Sequence, residues 1–430
     1  MFAQANMLVL KLTRDCNLRC EYCYIRHKDD YRGERIDFDL YKDIINRIIK
    51  DRLKAETNNQ KFSIIFHGGE PLLMDLDQLS RMFEYARKKF IENDVSHEFG
   101  IQSNLTLLTP DLCKLLHEYD VSVGMSFDGF ANGSFARSKI LDDEFFKAKI
   151  ALMDEYGVRW GPLLVANSSN YQKIVKSVDY LKREYDAKAI KVNYVEDVNT
   201  IDQGSEITGR EFINNSFIPF ITDFINGKPM IESNTFMLLE KFFKHSLYVF
   251  EDTARSNCYT KFCGGGISIV EMEPSGKVFL CGRYSENYEE AYIENARDKD
   301  FLDLIQIGKY IDFAYKKHKI ILETGCDICP ARHICDHGCM AFHMSKYGTY
   351  GIRKGLVCEI FKPTYDFLVK NESKIFRVFL EKIANKEINV YFDPKNKHIF
   401  RGGHNKVLND YLISIDEKNG ELLVVRKEKK

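Results

Sequence analysis

In the first half of the chain, short apolar runs of strand length alternate with longer segments whose apolar residues recur every three or four positions. "MLVLKL" (7–12) is the first such run; "DFDLYKDIINRIIKDRL" follows, with Tyr41, Ile44, Ile45, Ile48 and Ile49 on one helical face and Asp37 placed to cap its start. The rhythm then repeats. "KFSIIFH" (61–67) precedes a helix expected from about Asp75 to Phe90, and "EFGIQ" (98–102) precedes "PDLCKLLHEY", which opens with Pro110 where a helix tolerates proline. "VSVGMSF" (121–127) precedes "DDEFFKAKIALMDEY", "VRWGPLLV" (158–165) precedes "YQKIVKSVDYLKREY", and "AIKVNYV" (189–195) is a sixth strand-like run. Strands separated by helices pair in parallel, so the pattern predicts an α/β fold with right-handed crossovers, either an open doubly wound sheet or an incomplete barrel.

The second half reads differently. A helical stretch bridges residues of about 211 to 250 and a cysteine-rich segment follows; from about 366 a helix-like run, "KIFRVFLEKIANK", gives way to strand-like "INVYFD", "HIF", "DYLISID" and "ELLVV". This tail would brace the cysteine-rich segment or offer strand edges to an extended peptide. With 62 basic and 63 acidic side chains in 430 residues, no global field favours nucleic acid or an anionic membrane, and neither partner is expected. No apolar run is long enough for a membrane span, and "MFAQANMLVLKL" lacks a basic n-region, so a cytoplasmic location is expected. In that reducing compartment the 12 cysteines read as metal ligands or thiols rather than disulfides.

Conspicuous polar residues cluster at one end of the predicted strands. Cys16, Cys20 and Cys23 follow the first, "HGGEP" (67–71) ends the second, "QSN" (102–104) the third, and Ser126 with "FDG" the fourth. The carboxyl edge of a parallel sheet is where ligands bind. Three thiolates on a four-iron cluster leave one iron open to a cofactor. Alternatively, the three cysteines form a partial zinc site completed by His27.

The stretch "CNLRCEYC", with Tyr22 just before its last cysteine, resembles the defining motif of the radical S-adenosyl-L-methionine (SAM) superfamily. The resemblance implies a partial (β/α)6 TIM-type barrel whose open iron binds SAM. Reduction then yields methionine and a 5'-deoxyadenosyl radical that abstracts hydrogen from substrate. On the same resemblance, Gly68, Gly69 and Glu70 meet the SAM amino group, Ser103 and Asn104 lie beside it, Ser126 contacts ribose and carboxylate, and Arg137 is the basic residue that follows. His67 stands where relatives more often have glutamine; it is either a hydrogen-bonded strand-end histidine or a ligand contact. Cys113 and Trp160 read as structural.

Further along, Cys263-x12-Gly-x4-Cys281, then Cys326-x2-Cys329-x5-Cys335-x3-Cys339, then Cys358 resembles the SPASM extension of peptide-modifying radical SAM enzymes. This likeness implies one auxiliary cluster on Cys258, Cys263, Cys281 and Cys339 and another on Cys326, Cys329, Cys335 and Cys358, hence three 4Fe-4S clusters in all. A pair of zinc ribbons shares the same knuckles. His333, His337 and His343 read as surface or supporting residues. The expected division is a radical SAM core (1–210), helical bridge (211–250), SPASM domain (251–365) and C-terminal extension (366–430). The implied partners are a ribosomally made precursor peptide and a flavodoxin- or ferredoxin-type electron donor. In sulfatase-maturating members an aspartate follows the cysteine equivalent to Cys281; here Gly282 does, which points toward thioether or carbon–carbon cross-linking. The alternatives are formylglycine formation, radical chemistry on a small metabolite, and a non-catalytic electron carrier. With six residues ahead of the first strand, leader binding is expected to use the core, bridge, tail or a separate protein. No catalytic base is assigned.

Overall fold

The computed structural model describes residues 5–23, 33–129, 141–195, 206–230, 232–246, 264–266, 268–283, 291–298, 321–335, 355–390, 411–416 and 421–427. Six strands, β1 (Met7–Thr13), β2 (Phe62–Gly68), β3 (His97–Ser103), β4 (Val121–Ser126), β5 (Trp160–Ala166) and β6 (Lys191–Tyr194), pair in parallel in that spatial order. Between them run α1 (Phe38–Lys54), α2 (Leu76–Glu92), α3 (Pro110–Glu118), α4 (Asp143–Glu155) and α5 (Ile174–Tyr185). This is the α/β architecture of a partial barrel, as the alternating sequence pattern predicts.

Local chemistry starts α1, α3 and α4. The Asp37 carboxylate accepts from Leu40 N at 2.7 Å, Thr109 accepts from Leu112 N and Asp142 from Phe145 N, so orphan first-turn donors are satisfied. Ile44, Ile45 and Ile48 of α1 are fully buried against the sheet. On β4, Val121, Val123 and Met125 are buried while Ser122, Gly124 and Ser126 are half-buried on the opposite face. That alternation departs from the apolar run typical of a parallel strand covered on both sides, and it marks the second face as a polar lumen.

Beyond β1 the sheet continues. β7 (Ile269–Met272) pairs parallel to β1, and β8 (Lys277–Phe279) and β9 (Tyr292–Asn295) follow antiparallel, giving the order β6-β5-β4-β3-β2-β1-β7-β8-β9 among the described residues. The sequence pattern did not reveal these short strands. The backbone N–H groups of Asn6 and Met7 both donate to Ser268 O, and Arg297 pairs with Asp37 at 2.5 Å, fastening this hairpin to the start of β1 and to the cap of α1.

The bridge comprises α6 (Gly209–Asn215), α7 (Phe217–Ile225) and α8 (Ser233–Ser246). They pack on α9 (Leu356–Lys370) and α10 (Glu372–Ala384) through aromatic side chains; Phe243 stacks on Phe379 at 4.6 Å between ring centres. In the tail, β10 (Tyr411–Ile415) and β11 (Leu422–Arg426) form an antiparallel pair, and β11 packs on α10. The expected strand "HIF" lies outside the described residues, as does "INVYFD" beyond Val390. Among the described residues no helix is long and apolar enough to cross a membrane.

A buried carboxylate joins the bridge to the barrel. Glu232 is fully enclosed and accepts from Val192 N at 3.0 Å, Asn234 N at 3.0 Å and Thr235 N at 2.6 Å, capping α8 against β6. Burial raises its pKa, while the three backbone donors hold it in the opposite direction. Glu232→Ala strands those donors, and denaturant unfolding is expected to show a loss of about 2–4 kcal/mol.

Candidate active site

The carboxyl ends of the parallel strands meet at one edge, and the loop after β1 lies across it. The glycine pair at the end of β2 makes that possible. Gly69 N donates to Thr13 O at 2.9 Å and Glu70 N to Asp15 O at 2.8 Å. A Cβ on Gly69 would lie 2.1 Å from Asp15 O, and one on Gly68, whose φ is +141°, would lie 2.2 Å from Thr13 O. Only glycine lets the two backbones come this close.

The loop then presents three thiols. Cys16 and Cys23 are half-buried and Cys20 is nearly enclosed. Donors already surround the Cys16 sulfur: Leu18 N lies at 3.4 Å and Asn104 Nδ2 at 3.9 Å. Such N–H···S contacts stabilise a ligating thiolate. Among the described residues no three His, Cys, Asp or Glu side chains close around a single metal-ion position. A four-iron cluster takes each thiolate on a different iron and needs no such common point. The donor set and its N–H environment therefore fit a cluster.

Neighbouring strand ends are knitted to this loop. Glu70 is 1% exposed, and its carboxylate accepts from Ser103 Oγ at 2.7 Å, Asn104 N at 2.8 Å and Leu72 N at 3.1 Å. Its oxygens thus hold the end of β3 in place. Asn104 donates to Asn17 Oδ1 at 3.0 Å, reaching back to the cysteine loop, and Gln102 donates to Ser126 Oγ at 2.9 Å between the neighbouring strands β3 and β4. The Tyr22 hydroxyl donates to the buried Asp128 carboxylate; Asn170 Nδ2 donates to the Asp128 carbonyl at 2.8 Å. Asp128 and Asn170 were missed as named site residues, although "FDG" and "NSSN" at strand ends were visible signals.

His67 occupies the lumen side of β2, level with Lys11 on β1. Its Nδ1 accepts from Gly68 N at 2.8 Å, so the ring proton sits on Nε2. Burial, and then the Lys11 ammonium, lower its pKa to about 4, leaving the ring neutral near pH 7. Cys113 is fully buried on α3, and burial pushes its thiol up to about 11, in keeping with a structural role. Trp160 donates to Asp154 Oδ1 at 2.8 Å, tying β5 to α4.

Of the second cysteine group, Cys281 sits just after β8. Cys326, Cys329 and Cys335 lie in 321–335, where the helical turn Arg332–Cys335 packs on α8 and on α9, the helix that carries Cys358. Thr324 Oγ1 donates to Cys326 Sγ at 3.2 Å. None of the nine described cysteines is in a disulfide. Arg137, Cys258, Cys263 and Cys339, with His27, His337 and His343, lie outside the described residues.

Residues 10–183 match the model of the radical SAM superfamily. A cysteine-type anaerobic sulfatase-maturating enzyme from Clostridium novyi is 24% identical, covering 86% of this chain and 96% of that protein. The radical SAM cyclopropyl synthase TigE from Paramaledivibacter caminithermalis is 24% identical, over 88% of this chain and 77% of its own length. Among solved structures, anSMEcpe with bound AdoMet and the Kp18Cys peptide superposes with a TM-score of 0.67 at 22% identity, covering 85% of this chain and 97% of that one. Streptococcus suis SuiB bound to precursor peptide SuiA gives 0.56 at 15% identity, with coverages of 83% and 76%.

Gly69→Ala is expected to cost about 1–3 kcal/mol and to increase labelling of Cys16 and Cys20 by a thiol reagent, because the loop must move off the added methyl group. His67 supplies a pH test. A histidine kept neutral in the fold favours the native state above its unfolded pKa, and that advantage is lost as pH falls from about 6.5 toward 4. His67→Gln should therefore flatten the acid limb of stability by about 2 kcal/mol between pH 6.5 and 4.5, measured by denaturant titration against wild type.

Proposed function

Because residues 10–183 form a radical SAM domain, we propose that the chain is a radical SAM/SPASM peptide maturase that oxidatively modifies a ribosomally made precursor peptide, forming a thioether or carbon–carbon cross-link. The observation that carries this reading is the three-cysteine loop seated on Gly68 and Gly69 at the carboxyl edge of the sheet. Cys16, Cys20 and Cys23 would hold a 4Fe-4S cluster with one iron open, and SAM would lie along Tyr22, Gly68, Gly69, Ser103, Asn104, Ser126 and Arg137. Together the bound cluster and SAM supply an electron and a carbon-centred oxidant able to take hydrogen from an unactivated carbon.

The chain's own part is placement. Glu70 acts through Ser103 and Asn104, whose positions its carboxylate sets. Gln102 and Ser126 brace the lumen, and Gly124 makes room for the Gln102 amide, whose Oε1 would lie 2.1 Å from any added Cβ. A reactive oxidant is selective only when the target carbon is held next to it. The auxiliary clusters would use Cys258, Cys263, Cys281 and Cys339, and Cys326, Cys329, Cys335 and Cys358. The packing of Cys335 near the Cys358 helix supports the second set.

A peptide partner is supported by SuiB and anSMEcpe, each of whose structures is described with a bound peptide. The reading includes a core of 1–210, a bridge of 211–250, a SPASM domain of 251–365 and an extension of 366–430, in the cytoplasm, with a flavodoxin- or ferredoxin-type electron donor. A second reading, formylglycine formation on a protein side chain, is favoured by the coverage of the sulfatase-maturating relatives. Gly282 argues against it, since it offers no carboxylate after Cys281.

Anaerobically reconstituted, reduced protein is expected to yield 5'-deoxyadenosine, and the Cys16→Ala/Cys20→Ala/Cys23→Ala variant to yield none. Wild-type protein should carry about twelve irons and that variant about eight. Stoichiometric zinc with little iron would instead support zinc ribbons. A precursor peptide encoded beside the gene and co-expressed should lose two hydrogens, about 2 Da, per modification and give cross-linked fragments in tandem mass spectrometry. An unchanged peptide, with a sulfatase cysteine or serine converted to formylglycine, would establish the second reading.

A further inference from the structure

We propose that Glu273 is a positioning residue for the cysteine loop: its carboxylate clasps Lys11 and Arg14 and thereby fixes Cys16 relative to the hairpin that ends at Cys281. The inference rests on reading that loop as the site of a cluster and SAM. Glu273 uses both oxygens. Oε1 meets Lys11 Nζ at 2.6 Å and Oε2 meets Arg14 Nε at 2.7 Å, joining residues 262 and 259 positions apart in the chain. Lys11 also pairs with Glu271 at 2.5 Å, and the side chains of Lys11, Glu271 and Glu273 are 4%, 0% and 1% exposed.

Four ionisable groups in one largely buried knot are costly, and apolar residues of similar volume commonly serve stability as well or better. Nor is the knot the sole attachment of the hairpin. The backbone bonds of Asn6 and Met7 to Ser268, the β1–β7 ladder and the Arg297–Asp37 pair already fasten it. What the knot adds is a defined place for Arg14, two residues before Cys16. Glu273 is itself firmly set: its N–H donates to Lys277 O and its carbonyl accepts from Gly276 N, both at 2.9 Å, in a turn where Gly276 has φ +92°. From that turn β8 leads directly to Cys281. A short chain of contacts therefore links the two cysteine-bearing segments: Cys16, Arg14, Glu273, β8, Cys281.

The knot also divides its protons unevenly. Burial and the adjacent Glu273 push Glu271 up; burial acts in the same direction on Glu273 but is outweighed by Lys11 and Arg14, which hold it down. Glu273 is thus the carboxylate that stays ionised, as a clasp on two cations requires.

The test uses full-length, anaerobically reconstituted protein and the electron paramagnetic resonance spectrum of its reduced first cluster, titrated with SAM. Glu273→Gln keeps the volume and removes the charge. The expected result is wild-type iron content, shifted g-values in the SAM-bound state and a SAM dissociation constant raised roughly three- to tenfold. Arg14→Gln cuts the same bond from its more exposed end and should reproduce the shift even if Glu273→Gln folds poorly; Arg14→Lys should recover part of it. The double variant should be no worse than the more affected single one, because one bond can be lost only once. Wild-type spectra and SAM affinity in Arg14→Gln, effects that multiply in the double variant, or a lowered melting temperature with an unchanged spectrum would overturn the assignment. A wild-type protein whose reduced cluster does not respond to SAM would overturn the reading of the loop itself.

Discussion

The cysteine loop is hung on β1, which is hydrogen-bonded on both edges, to β2 on one side and to β7 on the other. A strand held by two ladders cannot shift register without disrupting both, so the loop that leaves its carboxyl end starts from a fixed point. That loop carries Cys16, Cys20 and Cys23. Its seat on Gly68 and Gly69, where any side chain would collide with backbone carbonyls, then fixes its path across the mouth of the sheet.

Buried carboxylates do the remaining alignment. Glu70 binds the β2 end to the β3 end, Glu232 binds the bridge helices to β6, and Glu273 binds the hairpin to the cysteine loop. Each is nearly or fully enclosed, and each receives several donors, without which an ionised group in that setting would be untenable. The pattern is consistent with a site whose chemistry resides in bound groups: the polypeptide spends its buried polar residues on fixing backbone positions.

The lumen face is the complement to this rigidity. Alternation of large buried residues with Ser122, Gly124 and Ser126 on β4, and of Phe99 and Ile101 with Gly100 and Gln102 on β3, leaves the inner face small and polar. Helices cover the outer face with Ile, Leu and Phe, so the sheet is stabilised from one side and left open to ligands on the other. His67, neutral and with its proton on Nε2, lies on that inner face as a donor rather than as an acid.

Much of this could be read along the chain. Short apolar runs between period-3.6 segments specify six parallel strands and their helices, because run length and helical spacing are both set by backbone geometry. The cysteine spacing and its place after a strand are equally local, and so were legible; the same holds for Asp37 as a helix cap. Three-dimensional packing decided the rest. That Glu70 turns its carboxylate onto Ser103 and Asn104, that β7 adds to the far edge of β1, and that Glu273 meets Arg14 all depend on contacts between residues tens to hundreds of positions apart. No local periodicity encodes such pairings: a glutamate in sequence announces a charge, and only the folded neighbourhood determines which cation or backbone donor receives it.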